Sequence, residues 1–171
     1  MTVAEFERIT DEGHRHELDQ GRLVVLPLND ARHGMVHAAV LENLHQAAQA
    51  AGTGKVVGPV GFRLGPDTVI APDVAFIRRD GHPETLVGWP EFGPDLAIEI
   101  LAYDDDPSWM ERRIAYFLAA GSSTVWVLDP ESITVSVYDK SGEFRTLNAD
   151  DMIDAPDLLP GFSVPVRTMF E

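Results

Sequence analysis

Two acidic residues stand where strand-forming sequence leaves little room for charge. Asp73 opens the apolar run PDVAFI, and Glu99 lies inside LAIEIL. An ionised carboxylate among apolar neighbours is costly unless it is paired, hydrogen-bonded or bound to a cation. Alternate side chains of a strand share a face, so Asp95, Ala97, Glu99 and Leu101 point one way and Leu96, Ile98 and Ile100 the other. If the two runs are neighbouring strands, Asp73 and Glu99 enter one pocket as hard oxygen ligands suited to Mg²⁺ or Mn²⁺. Asp95 is a poorer partner, because its distance from Glu99 along an extended strand is about 13 Å. The pattern also admits a structural role for both acids: a turn bond for Asp73 after Pro72, and pairing with a nearby arginine for Glu99.

Other residues with chemical potential carry weaker patterns. His33 and His37 are one helical turn apart, yet HGMVH lacks the glutamate of a zincin helix and no third ligand has suitable spacing, so zinc is not expected. Arg112 and Arg113 are either phosphate clamps or partners of Glu111 and the acids at 104–106. Gly65-Pro66-Asp67 and Gly93-Pro94-Asp95 read as turns and lack the pattern of a phosphate loop. Trp126 reads as core.

The elements that must position these residues follow from local signals. Thr2 and Glu5 form a capping box for a short helix through about Ile9, followed by TDEGHR as turn material. HELDQGRLVVLPL is a hairpin around Asp19-Gln20-Gly21. A long helix runs from about Arg32 to Ala51, stopped by Gly52. KVVGPVGFRLG, VIAPDVAFIRR and DLAIEILAY then read as three successive strands, with GPDT as a turn between the first two. Asp106-Pro107 starts a helix over 107–120 that Gly121 closes, and TVWVLD is a further core strand. ITVSVYD and GEFRTL form a hairpin joined at Lys140-Ser141, and the proline-punctuated tail from Ala149 is expected to wrap the surface. The predicted architecture is a single α/β domain over residues 1–171. It has a mixed sheet flanked by helices, a parallel crossover around the second long helix and hairpins added at both ends.

Composition limits what such a domain does. The 171 residues are 44% hydrophobic, enough for one core, and carry a formal charge of −15. That field opposes phosphate attraction, on which nucleic-acid binders depend. No cysteine is present, which excludes disulfides, thiolate metal sites and cysteine nucleophiles. No apolar run approaches the ~20 residues of a membrane helix, and the acidic start does not resemble a signal peptide. A cytoplasmic protein without a membrane partner is expected.

The run HGMVHAAVLENLHQAAQAAGTGKVVGPVGFRLGPDTVIAPDVAFI, then PDLAIEIL, RRIAYFLAAGSSTVWVLDP and LPGFSVPV resemble the putative restriction endonuclease family of the Uma type, a branch of the PD-(D/E)XK nucleases. HELDQGRLVVLP is similar to that family's first hairpin. The resemblance implies a restriction-endonuclease-like core with Asp73 and Glu99 as ligands of Mg²⁺ or Mn²⁺ and the carbonyl of Ile100 as a further ligand. Glu17 matches the family's hairpin glutamate, either as a third carboxylate of the pocket or as a solvated strand acid. His33 falls at the helix-entry histidine, for capping or substrate contact. Two departures stand beside the implied metal. Glu99-Ile100-Leu101 replaces Glu-X-Lys, which leaves Arg113 on the following helix in the lysine's slot, and Ala102-Tyr103-Asp104-Asp105 replaces a Ser-Pro-Ser-Thr-like stretch. Arginine stabilises phosphate charge but cannot give up its proton.

Two functions compete on this basis. The first is a metal-dependent endonuclease hydrolysing DNA phosphodiester bonds, with catalytic residues Asp73, Glu99 and Arg113. The second is a catalytically degenerate nuclease fold serving as a binding module or a homodimeric scaffold. Resemblance favours the first and the net charge favours the second.

Overall fold

The computed structural model describes residues 1–9, 14–103 and 105–171. Thr10 to Gly13 of the expected turn, and Asp104, lie outside the described residues. The chain opens with the capped turn α1 (Val3–Phe6) and the hairpin β1 (Arg15–Asp19) and β2 (Arg22–Leu26). The long helix α2 (Ala31–Ala51) follows, capped by Asp30, whose side chain accepts from the His33 N–H at 2.8 Å. Its buried residues Val36, Val40, Leu44 and Ala48 form one stripe at helical spacing, and His33 begins that stripe.

Five strands occupy the region where three were expected. β3 (Gly54–Val57), β4 (Phe62–Gly65), β5 (Thr68–Ile70), β6 (Val74–Arg78) and β7 (Leu96–Ile100) divide between two sheets. The divisions fall at Pro59 and Pro72, since proline cannot donate to a ladder and interrupts each run. A four-stranded antiparallel sheet has the order β2-β1-β5-β4. The main sheet is completed by α3 (Pro107–Ala119), β8 (Thr124–Asp129), β9 (Thr134–Asp139) and β10 (Phe144–Leu147), in the order β10-β9-β8-β7-β6-β3. β7 and β8 are parallel, with α3 as the crossover between them, and the other pairings are antiparallel. The sheet is therefore mixed, and β6 and β7 are interior strands.

Alternation along β7 sorts the core into two layers. Leu96, Ile98 and Ile100 pack with the α2 stripe, while Ala97 packs with Met110, Ile114 and Phe117 of α3. Glu99 thus faces α3. The tail corrects the expectation of a surface wrap. It forms the hairpin β11 (Met152–Asp154) and β12 (Ser163–Pro165) and a 3₁₀ turn (Val166–Phe170). Ile153, Leu158, Leu159, Phe162, Val166 and Met169 are buried in the α2-side core. Each such side chain contributes about 1.5–3 kcal/mol on burial, which outweighs what the prolines cost in regular pairing. Among the described residues no helix is long and apolar enough to cross a membrane.

Candidate active site

Buried charge collects where the two sheets meet. β5 ends at Ile70, and Ala71-Pro72-Asp73 carries the chain across to β6. The β6–β7 register pairs Val74 with Ile98, so the next step brings Asp73 opposite Glu99. The Ile100 N–H donates to Asp73 Oδ2 at 2.9 Å, which fixes the aspartate against β7. Ile100, expected as a carbonyl ligand, thus meets the site through its amide.

The helices supply the rest. Met110, Arg113, Ile114 and Phe117 occupy the i, i+3, i+4, i+7 positions of the buried face of α3, so helix amphipathicity carries Arg113 inward. Its Nε and Nη2 lie 2.9 and 2.8 Å from Glu99 Oε1, and Nη2 donates to the Ala71 carbonyl at 2.9 Å. Nη1 donates to Glu17 Oε2. The guanidinium also stacks on Trp109, 4.4 Å from the ring centroid. Glu17 reaches in from β1, and its Oε1 accepts the Ala71 N–H at 2.9 Å. From the opposite side, His33 Nε2 lies 3.3 Å from Asp73 Oδ2, and His37 Nε2 is 3.0 Å from the Asp73 carbonyl oxygen. Glu17, His33, Asp73, Glu99 and Arg113 are each 5% exposed or less. The structure therefore brings all the expected side chains into one cluster and excludes the solvated alternative for Glu17.

Two neighbours were not foreseen. Arg15 donates to the Ala71 carbonyl and lies 3.4 Å from Asp73 Oδ1 and 3.6 Å from Glu17 Oε1. The TDEGHR pattern predicts a turn here, yet Arg15 shares the Glu17 face of β1, a spacing of two that carries the signal. Trp109 stands four residues before Arg113 on α3, the ordinary spacing of a helical pair. Arg112 is exposed, so the two adjacent arginines do not act as a joint clamp. Asp95 bonds Arg78 at 2.9 Å and His82 at 3.1 Å, apart from the site as its distance along the strand required.

One guanidinium serves two glutamates, and the protonation of the cluster reflects that. Burial pushes the Glu99 carboxyl up to about 8; Arg113 pulls it down, but Asp73 and Glu17 add repulsion. Glu99 therefore keeps its proton at neutral pH while Glu17 balances Arg113. Burial also raises Asp73, but His33, the Ile100 amide and Arg15 outweigh it and hold the carboxyl below its ordinary value. Burial alone would lower His33; contact with Asp73 leaves it raised.

No cluster of three or more His, Asp and Glu side chains among the described residues could hold a metal ion. A hard cation needs less, since Mg²⁺ is commonly bound through one or two carboxylates with water and substrate oxygen filling its octahedron. The Asp73–Glu99 pair fits that requirement, on condition that Glu99 is shared with Arg113.

A mixed sheet carries an aspartate and a glutamate on adjacent interior strands, with an arginine from the crossover helix bonded to the glutamate, and comparison with known proteins places this fold in the nuclease class. The chain belongs to the putative restriction endonuclease family Uma2, whose profile matches residues 3–167. It is also similar to a crystal structure described as a putative nuclease belonging to DUF820, from Anabaena variabilis ATCC 29413. That likeness has a TM-score of 0.89 and 19% identity over 99% of this chain and 97% of the other. At that identity it speaks for the fold. No curated protein matches the chain.

Proposed function

We propose that the chain is a cytoplasmic, metal-dependent endonuclease acting on DNA, with Asp73 and Glu99 holding Mg²⁺ or Mn²⁺. The observation that carries this reading is the pairing of two buried carboxylates on neighbouring strands, with Arg113 from α3 bonded to Glu99. A bound divalent ion supplies Lewis acidity towards a phosphate oxygen and lowers the pKa of its water. Arg113 is held by Glu17, Glu99 and Trp109, and would stabilise charge on a scissile phosphate by exchanging one of its carboxylate contacts for a phosphate oxygen. His33 and the Ile100 amide keep Asp73 ionised and oriented, and burial keeps bulk water away from both carboxylates. A homodimer would set two such sites on the two strands of a duplex, matching its symmetry.

Isothermal titration of Mg²⁺ and Mn²⁺ into the wild type and Asp73→Ala tests the proposal. A saturable one-site isotherm is expected in the wild type and none in the variant. Because binding must displace the Glu99 proton, affinity should rise with pH and level off, and proton release fall, as the pH passes through about 8. A wild type that binds neither ion would end the metal reading.

The degenerate reading has its own support, since Arg113 already pairs with both Glu17 and Glu99 in the place where a lysine is expected. Arg113→Lys separates the two. A compact ammonium orients a water where the planar fork cannot, so Mn²⁺-dependent cleavage of DNA should increase. No gain, with metal binding intact, would favour the inert scaffold.

A further inference from the structure

Asp73 is flanked by cavities of opposite character. His33 opens onto a cleft of about 720 Å³ that carries Asp30, Asp105, Glu111, Asp129 and Glu131 against Arg32. Arg15 opens onto a second cavity, of about 510 Å³, lined by His14, Arg15, His16, Phe6 and Trp89, with Glu17 as its one carboxylate among the described residues. That carboxylate is spent on Arg113 and the Ala71 amide. In a chain of charge −15, a phosphate meets several carboxylates along the first route and the guanidinium of Arg15 along the second.

Arg15 has donors in reserve. Its contacts with Asp73 and Glu17, at 3.4 and 3.6 Å, are longer than the ~2.7–2.9 Å of a well-made charge-assisted bond. Its Nε is buried without a hydrogen-bond partner among the described residues and Nη2 donates to the Ala71 carbonyl, so the capacity left for a ligand lies in the remaining N–H groups of Nη1 and Nη2. A guanidinium carries five N–H donors in a fork that matches phosphate oxygens. Aromatic rings line the same cavity and are held in place. Trp89 packs 5.1 Å from Phe6 and lies over Gly61, where a Cβ would come within 3.1 Å of the indole. A guanidinium and a fixed aromatic ring bordering one cavity are the combination that holds unpaired nucleotides, the phosphate on the cation and the base on the ring. The volume falls within the ~300–1,000 Å³ of small-molecule sites and leaves no room for a duplex.

We propose that this cavity is a nucleotide subsite, which takes one unpaired nucleotide of a DNA strand with its phosphate on Arg15 and its base against Trp89. The proposal rests on the nuclease reading and narrows its substrate to single-stranded or frayed DNA.

Titration in chelator, followed by tryptophan fluorescence and by calorimetry, tests it. The ligands are deoxyadenosine 5′-monophosphate, deoxyadenosine, inorganic phosphate, an unpaired oligonucleotide and a blunt duplex. The monophosphate and the unpaired strand should bind with quenching. Deoxyadenosine should bind about tenfold more weakly for want of the charged contact, and the duplex should not saturate. Arg15→Met should weaken monophosphate and phosphate alike by about tenfold. Arg15 also ties β1 to the Asp73 segment, so Arg15→Lys is the second variant, and a smaller loss is expected there because the charge remains. Trp89→Phe should abolish quenching and weaken the monophosphate but not phosphate.

Absence of monophosphate binding, affinity unchanged in both Arg15 variants, or a duplex bound as tightly as the single strand would each overturn the assignment. Phosphate bound as tightly as the monophosphate would also overturn it, leaving an anion site alone. Since chelator removes divalent ions, nucleotide binding without any metal isotherm would refute the metal reading alone. The converse result would refute the subsite alone.

Discussion

Arg113→Met is expected to lower the melting temperature at neutral pH by roughly 10 °C, with the change followed by circular dichroism. The side chain is 2% exposed, and its guanidinium contacts Glu17, Glu99, the Ala71 carbonyl and the face of Trp109. Methionine fills much of the same length but leaves Glu17 in the interior with only the longer Arg15 contact and the Ala71 amide against its charge. Removing one partner of a buried pair costs about 3–5 kcal/mol, and in a domain of this size each kcal/mol moves the midpoint by about 2–4 °C. Replacing Glu17 by Gln in the same chain should recover a substantial part, because the stranded charge goes with it. A double-mutant cycle over the two positions measures that coupling. A loss of under about 2 °C, or full additivity of the two changes, would show that the arginine is not the counter-charge the geometry makes it.

Alkaline pH is expected to weaken the fold, and Glu99→Gln to remove most of that slope. The folded protein holds the Glu99 proton up to about pH 8, whereas the unfolded chain releases it near the ordinary value of 4.5. Across that window the native state binds more protons, so its stability is complete below about 4.5 and is lost as the pH rises through about 8. His33 acts in the same sense above its ordinary 6.5, because Asp73 raises it against the effect of burial. Asp73 acts oppositely, and its contribution is present above 3.8 and lost as the medium becomes more acid. Glutamine resembles the protonated glutamate and has no proton to lose. The two proteins should therefore melt alike near pH 5 and diverge towards pH 9 by on the order of a few kcal/mol, with the variant the more stable. Parallel urea or thermal curves over that range would assign the buried proton elsewhere.

Both acids of the site were legible because each violates its surroundings: a carboxylate at the head of PDVAFI and another inside LAIEIL need partners that an apolar strand does not provide. The helix that delivers Arg113 was equally visible from its Asp106-Pro107 start. Division of the strands between two sheets was not. Pro59 and Pro72 mark the breaks, but which strand pairs with which depends on contacts distant in sequence, as between β1 and β5. For the same reason Arg15 passed for turn material and the tail for surface. Ile153, Leu158 and Phe162 have no helical or strand period among their prolines, and it is the α2 stripe across the core that accounts for their burial.

Ala71 has no side-chain chemistry, yet its peptide unit clasps the two sheets. The carbonyl takes both Arg15 and Arg113, and the N–H is given to Glu17. The residue belongs to the strap that runs from β5 to β6, so the joint and the charge cluster are one mechanical part. Prying the sheets apart at this seam pulls the arginines from the glutamates, and releasing the arginines slackens the seam. A strand that wedges itself between the sheets must work against both at once, and the Ala71 amide, by its rate of hydrogen exchange, would register how far the seam has opened.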